Sequence, residues 1–387
     1  VKLPVPPDAL RIGPFKEGAF RSKLHEERVA AILGISLGVA FLVCFITGLL
    51  SHFIQHPGTW FYWPARPAGL FRFNQGLHVF TGLASIPLLF LKLWAVYPKF
   101  WTWPPAQDLT HLVERISLLP LVAGSLFLMV TGVTNINYWY PWGFYFVNGH
   151  FWAAWITIGA LIVHIGAKAT TVRRALGSDY AVLPGGREEG LSRRGFIAAA
   201  TGASALVLAT MLGETFRPLK SLAILAPRRP AEGPSGFPIN REAREARVVD
   251  DAMSPDWKLS VEGAVPRPYT ISLDELKALP QRSATLPISC VEGWSSVVPW
   301  SGVSVRTLLA KAGAPPASSV RVESLEKQGD YRTAVLNPGH AQNLDTMLAL
   351  EAHGKPLHIE HGFPARLISP SNPGVMQTKW VAKLVVL

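Results

Sequence analysis

What most narrows the folding options of this chain is a series of long apolar runs in its first half. Residues 30–50 hold no charged side chain, and a helix of about 20 such residues crosses the hydrocarbon core of a bilayer. Residues 76–96 (with Lys92 near the end), 116–133 and 151–167 repeat the pattern, and 196–212 is a shorter fifth run rich in Ala, Gly and Thr. In lipid every backbone N–H and C=O must be satisfied inside the element, so the runs are expected to be transmembrane helices. The chain is 49% hydrophobic and only 16% charged, against about 25% charged in ordinary soluble domains. That composition argues against disorder and against a wholly soluble enzyme.

The net charge is +11, and the distribution of Lys and Arg sets an orientation. Lys2, Arg11, Lys16, Arg21, Lys23 and Arg28 precede the first run, whereas the loop after it carries only Arg66 and Arg72. Lys92, Lys99 and Arg115 flank the second loop, the loop 135–149 has none, and Lys168, Arg173, Arg174, Arg187, Arg193 and Arg194 follow the fourth run. The expected topology is multi-pass, with the N-terminus inside and the fifth span carrying the C-terminal half to the outer face. Trp60, Trp63, Trp139 and Trp142 fall in the two outer loops, where an interfacial belt would lie. Because the basic residues cluster at membrane flanks, no nucleic-acid partner is expected. The two cysteines, Cys44 and Cys290, are too far apart in character and position for a disulfide framework. No cleavable leader is expected at Val1.

Ionisable residues inside spans are functional by default, and topology sorts the histidines by depth. His52, His56, His78 and His150 fall near the outer surface, and His25, His111 and His164 near the inner one. His150 and His164 are fourteen residues apart on one span, about 21 Å along a helix and on nearly the same face. That spacing suits two stacked haems, each needing two histidines at one depth. The expected pairs are His78 with His150 for the outer haem and His25 with His164 for the inner one; His52 and His111 are the rivals. On these residues, about 15–176 resembles the dihaem b-type cytochrome subunits of respiratory formate dehydrogenases and nickel-iron hydrogenases, which implies two haem b and exchange with a membrane quinone.

Ser192-Arg-Arg-Gly-Phe-Ile197, followed by an Ala-rich apolar core, resembles a twin-arginine export signal, and is also a positive-inside flank for the fifth helix. Export of a folded domain by that route suits one that receives its cofactor in the cytoplasm. No well-spaced cleavage site follows, since Ala223-Ile-Leu-Ala226 is poorly placed, so the helix is expected to remain as an anchor. The Pro-, Gly- and Arg-rich stretch after it reads as a linker. The boundaries read are 1–28 cytoplasmic segment, 29–176 four-span cytochrome b domain, 177–194 cytoplasmic loop, 195–213 fifth helix, 214–247 linker and 248–387 oxidoreductase domain.

From about Asp256 the pattern changes to short strands and turns. Strands are expected over residues 257–262, 284–291, 319–324, 331–336, 366–369 and 379–387. A capping box at Ser272 and Glu275 opens a short helix, and 303–312 reads as another. The fold class is thus multi-domain: an all-α transmembrane four-helix haem bundle with a fifth anchoring helix, followed by a strand-rich α+β domain. Cys290 is the only cysteine here. No Cys/His cluster with zinc spacing accompanies it, but a thiolate suits a metal whose other ligands come from an organic cofactor.

Cys290-Val-Glu-Gly-Trp294, Trp300-Ser-Gly-Val303, His361-Gly-Phe-Pro-Ala-Arg366-Leu and Gln377-Thr-Lys379-Trp380 stand in order along this half. With these marks, residues 237–387 resemble the molybdopterin-binding domain of the sulfite oxidase family, which includes the catalytic subunit of periplasmic methionine sulfoxide reductase. The resemblance implies Mo-molybdopterin, with Cys290 as the protein thiolate on molybdenum. It implies that Arg366 and Lys379 hold the pterin and phosphate, beside His361, Gln377 and Thr378, with Ser324 and Asn240 as further cofactor contacts. Glu292 and Tyr331 are the candidate substrate-side groups.

No arginine flanks Cys290 to bind sulfite; Arg282 and Arg332 could reach it only through folding. No counterpart of the dimerisation domain of sulfite oxidases is expected. The expected function is therefore an extracytoplasmic, membrane-bound molybdenum oxidoreductase of the prokaryotic inner membrane, transferring an oxygen atom to or from a small S- or N-oxide and exchanging electrons with quinone. Oxidation of a sulfur oxyanion, and a non-catalytic conduit or assembly subunit, are the alternatives; a homo-oligomer is left open.

Overall fold

The computed structural model describes residues 12–16, 19–20, 22–58, 60–105, 108–144, 146–177, 191–214, 217–223 and 231–387. Most of the segment 1–28, the bulk of the loop 177–194 including Arg187, and the cleavage-site stretch after Ala223 were read from sequence and lie partly or wholly outside the described residues. The chain forms two compact units, Val1–Ile46 with Leu77–Thr210, and Thr47–Gly76 with Met211–Leu387.

The first unit is helical. α1 (Glu27–Gln55), α2 (Leu70–Phe100), α3 (Leu109–Ile136), α4 (Phe146–Leu176) and α5 (Arg193–Leu212) are each long and apolar enough to cross a membrane. Inside this unit α1 and α2 are joined at Cys44, whose Sγ lies 3.0 Å from Thr81 Oγ1. α5 is fastened to α2 by Ser204 Oγ, which donates to the Ala84 carbonyl at 2.9 Å, and by the Trp94–Phe196 ring contact at 5.2 Å. Ion pairs gather where the sequence places the inner flank: Glu27 with Arg174 at 3.0 Å, Glu114 with Lys168 at 2.5 Å and Glu26 with Arg193 at 2.7 Å. One of the twin arginines is thus tied to the segment leading into α1.

The second unit is strand-rich. Its strands are β1 (Lys258–Gly263), β2 (Tyr269–Ser272), β3 (Arg282–Ser289), β4 (Ser295–Ser304), β5 (Val320–Ser324), β6 (Thr333–Leu336), β7 (Met347–Ala352), β8 (Lys355–Pro356), β9 (Arg366–Ile368) and β10 (Val381–Val386). Short helices α6 (Val249–Met253), α7 (Leu273–Ala278), α8 (Val305–Ala312) and α9 (Pro338–Ala341) connect them. One sheet runs β2-β1-β10-β5-β6, parallel only between β1 and β10; the other runs β3-β4-β7-β8, with β9 also on β7. α8 carries apolar residues at the spacing of one helix face, Val305, Leu308, Leu309 and Ala312, and all four are buried in the main core with Leu259, Val322 and Leu384. The capping box at Ser272 and Glu275 is present.

Three features depart from the sequence reading. Residues 47–76, read as the end of a span and an outer loop, pack into the strand-rich unit: Ile54 and Phe71 lie in its core, Trp63 Nε1 donates to the Ser371 carbonyl at 2.8 Å, and Arg66 pairs with Asp345. Within the expected linker, Phe237, Ala243 and Ala246 are buried, so residues 237–247 are part of the fold, their small and aromatic side chains filling core rather than spanning solvent. Finally, β4, which runs through Pro299 and Gly302, is a strand that the sequence reading does not include. Pro299 lies one residue beyond the β4–β7 pairing, which starts at Trp300, and therefore needs no ladder N–H on that side. At Gly302 a Cβ would sit 2.0 Å from the Leu348 carbonyl oxygen, so the bulge there excludes a side chain.

Candidate functional site

Cys290 lies at the tip of the β3–β4 hairpin rather than in a strand. Its N–H donates to the Trp294 carbonyl at 2.9 Å and its carbonyl accepts from Gly293 at 3.2 Å; Gly293, at φ +107°, supplies the left-handed conformation the tight return needs. Cys290 is 2% exposed, and Asn240 Nδ2 donates to its sulfur at 2.8 Å. Glu292, also buried, accepts from the Trp294 indole at 3.3 Å.

The second part of the pocket comes from the segment running from His361 to β10. Arg366 is 6% exposed; its Nη1 donates to the His361 carbonyl at 3.2 Å and its guanidinium stands over the Trp300 ring. Burial pushes the Arg366 pKa down to about 9, with the Cys290 sulfur pulling it back up. Lys379 donates to the carbonyls of Arg241 and, at 3.1 Å, Glu360, and lies 4.2 Å over the Trp380 ring. Burial and then the Arg366 charge push its pKa down to about 7. His361 stacks on Phe237 at 3.6 Å and bonds the Pro234 carbonyl at 2.5 Å; burial, with Arg366 next, keeps it neutral with a pKa of about 3.

Several buried polar atoms here have no hydrogen-bond partner among the described residues: Arg366 Nε, Gln377 Oε1 and Thr378 Oγ1. Nor does either buried cation, Arg366 or Lys379, form an ion pair among the described residues. Native interiors rarely leave such groups unmatched without a missing partner, and the donor set asks for a polar guest carrying negative charge. A phosphate-bearing pterin meets that demand, and the adjacent buried thiol offers a soft ligand to its metal.

Of the sequence candidates, Cys290, Asn240 and Arg366 come together, and Gln377, Thr378 and Lys379 follow Arg366 across the β9–β10 connection. Ser324 acts one step back, donating to the Lys379 carbonyl at 2.8 Å. Tyr331 is turned to Gln55, its hydroxyl 3.4 Å from Oε1. Arg282 is engaged by Asp345 at 2.7 Å, and Arg332 donates to the Lys327 carbonyl. Sequence reasoning missed Phe237 and Trp300 as ring neighbours of His361 and Arg366, Arg241 as the acceptor for Lys379, and Gln75, whose amide donates to the Val291 carbonyl at 2.6 Å. Trp300 left a signal in its motif, and Gln75 as a polar residue just before an apolar run.

In the helical unit the rings of His78 and His150 lie 6.4 Å apart, centroid to centroid. His78 Nδ1 donates to the Cys44 carbonyl at 2.9 Å. His150 Nδ1 meets Thr131 Oγ1 at 2.7 Å, and that hydroxyl gives its own proton to the Phe127 carbonyl, so His150 is the donor. Both imidazoles therefore hold the lone pair on Nε2. His25 Nδ1 likewise lies 3.2 Å from the Ala95 carbonyl, with the ring on Trp94. His164 has a buried Nδ1 without a partner among the described residues and lines a cavity of about 930 Å³ shared with His111, Lys92, Glu114, Arg115 and Lys168; His25 is not in that lining. His52 instead stacks on His56 at 4.8 Å.

Residues 246–387 match the family described as oxidoreductase molybdopterin binding domain. The chain is 34% identical over 142 residues to YedZ1 of Azospira oryzae, a protein named for a protein-methionine-sulfoxide reductase subunit, covering 37% of this chain and 52% of that one. It is 31% identical over 142 residues to the protein-methionine-sulfoxide reductase catalytic subunit MsrP of Xanthomonas campestris pv. campestris, covering 33% and 44%. A solved structure, the sulfane dehydrogenase SoxCD from Paracoccus pantotrophus, aligns at TM-score 0.35 and 24% identity over 41% of this chain and 46% of that chain. The chain thus spans about half the length of the curated relatives it matches. The thiol and the unmatched donor set lie inside the matched segment, and together with the relatives they support a molybdopterin-dependent oxidoreductase.

Proposed function

We propose that this chain is a membrane-bound, extracytoplasmic molybdenum oxidoreductase that reduces a small S- or N-oxide, such as oxidised methionine, with electrons drawn from quinol through two b haems. The observation that carries the reading is the buried Cys290 thiol, bonded to Asn240 and set beside the buried Arg366. The cofactor, when bound, supplies the two-electron oxygen-atom chemistry; the chain binds and orients it. Cys290 holds the metal, with the Asn240 amide bonded to its sulfur. Arg366 and Lys379 take the pterin and phosphate charge, Gln377 and Thr378 meet its polar edges, and His361, neutral and pinned between Phe237 and Pro234, forms a rigid wall. Glu292, on the turn that carries Cys290, is kept as the substrate-side candidate, whereas the Tyr331 hydroxyl is bonded to Gln55. The relatives named for methionine sulfoxide reduction favour an oxide as substrate. Arg282 and Arg332, the candidates for a sulfite-binding arginine, are engaged elsewhere.

His78 and His150 are assigned to the outer haem. His78 and His150, on two different helices with ring centroids 6.4 Å apart, are the residues that would hold that haem. Nδ1 bonding to a carbonyl or hydroxyl is the usual orientation of a metal-ligating histidine. His25 and His164 are assigned to the inner haem. Purified protein should contain about one molybdenum and two b haems per chain. Reduced methyl viologen with sulfoxides, against ferricyanide with sulfite, distinguishes the directions; molybdenum-loaded protein that turns over no oxide would remove this reading.

A further inference from the structure

Two amides, Asn74 and Gln75, are buried at the start of α2, and Gln75 is only 6% exposed. A buried amide is costly unless bonded, and an aliphatic side chain would serve packing better. Gln75 is engaged at both ends: Nε2 donates to the Val291 carbonyl at 2.6 Å, and Oε1 accepts from Ser51 Oγ at 3.3 Å. Gln55 Nε2 donates to that same Ser51 Oγ at 3.3 Å, and Gln55 Oε1 accepts from the Tyr331 hydroxyl. A chain of hydrogen bonds therefore runs from the peptide after Cys290, through Gln75, to Tyr331, wholly inside the strand-rich unit. Asn74, beside it, points its amide the other way and donates to the Thr47 carbonyl at 3.0 Å.

We propose that Gln75 is the bridge by which the Cys290 turn passes single electrons into helix α2. This rests on the function proposed above. From the sulfur the route is covalent as far as the Val291 carbonyl, crosses the short hydrogen bond to the Gln75 amide, and continues along α2, where His78 follows three residues later, one turn on. Quinol yields two electrons and two protons as it becomes quinone. The electrons cross the bridge one at a time. The sulfoxide takes both, together with two protons; its S–O bond breaks, leaving the sulfide and one water. Gln75 is bonded to neither metal nor substrate; it positions and couples.

The test uses the full chain carrying molybdenum and both haems. The haems are reduced with dithionite, excess reductant is removed, and the protein is mixed with methionine sulfoxide while loss of the reduced b band is followed. Gln75→Leu should keep molybdenum, haem and the Mo(V) electron paramagnetic resonance signal, yet re-oxidise its haems several-fold more slowly, while Asn74→Leu keeps the wild-type rate. In Gln75→Glu a protonated carboxyl can donate the bond and an ionised one cannot, so its rate should fall with rising pH more steeply than that of the wild type. The bridge is overturned by an unchanged rate in Gln75→Leu, by equal slowing in Asn74→Leu, by an altered Mo(V) signal in Gln75→Leu, or by a wild-type pH profile in Gln75→Glu. Wild-type protein lacking metal or haem, or whose haems no oxide re-oxidises, would instead remove the underlying function.

Discussion

The chemistry-bearing side chains of the helical unit and those of the strand-rich unit are prepared in opposite ways. In the helices, the histidines assigned to the outer pair have Nδ1 bonded to a neighbour at 2.9 Å (the Cys44 carbonyl) or 2.7 Å (Thr131 Oγ1), which fixes ring and tautomer. In the strand-rich pocket, Arg366, Gln377 and Thr378 keep buried polar atoms without a hydrogen-bond partner among the described residues. A ligand held by two point contacts on packed helices needs orientation and little else. A large anionic guest in a pocket needs unspent hydrogen-bonding capacity, and that capacity is a standing cost until the guest arrives.

The largest expected effect lies where the pocket meets its metal. Cys290→Ser should leave the fold intact, since the turn rests on backbone bonds and Gly293, and should lower turnover at least about 10³-fold, roughly 4 kcal/mol of barrier. Wild-type turnover in that variant would take sulfur 290 off the metal. In the helical unit the corresponding cut is His150→Ala, which should remove one of two haems by pyridine assay while the lower-lying His164 haem remains; full haem content would break the pairing.

A finer cut compares supporting residues. Arg366→Met removes a buried charge without an ion pair among the described residues, so cofactor retention should fall about 10–100-fold, while the cofactor-free protein becomes no less stable, because a buried cation is lost. Thr131→Val removes the partner of His150 Nδ1 and should loosen the outer haem toward the low end of that range, with a shifted haem potential. If Arg366→Met destabilises the cofactor-free protein to heat, the guanidinium serves packing rather than a guest, and the contrast between the units fails.

How far the sequence could be read follows the same divide. In the bundle the depth of each histidine follows from span boundaries and a rise of about 1.5 Å per residue, so the fourteen-residue spacing of His150 and His164 was informative. The helices outrun the apolar runs, however: α1 extends to Gln55, because hydropathy marks lipid depth and not helix length. In the strand-rich unit the motif residues were visible but their surroundings were not. Phe237 comes from a stretch whose composition reads as linker, and it joins His361 only through tertiary folding. β4 was hidden by Pro299 and Gly302, and β7, Met347–Ala352, by a Leu-Ala-Leu-Glu-Ala composition that favours helix as well as strand. The docking of residues 47–76 had no local signature beyond Asn74 and Gln75.

The smallest expected effect is a pH dependence that should appear in the pocket only when the guest is absent. Burial and the nearby Arg366 push the Lys379 pKa down to about 7, whereas an unfolded chain holds that proton to about 10.4. Between these values the unfolded state binds more protons than the folded one, so the stability of cofactor-free protein should rise with pH above 7, having carried the full penalty of a buried charge below it. A bound phosphate would keep the ammonium charged in the folded state and flatten that rise. Thermal midpoints of loaded and cofactor-free full-length protein, taken from about pH 6 to 9, should therefore converge as pH increases, and Lys379→Met should remove the slope from the cofactor-free curve. Parallel curves for the two forms would mean that the guest's charge does not reach Lys379, and the anion would then have to be held by Arg366 alone.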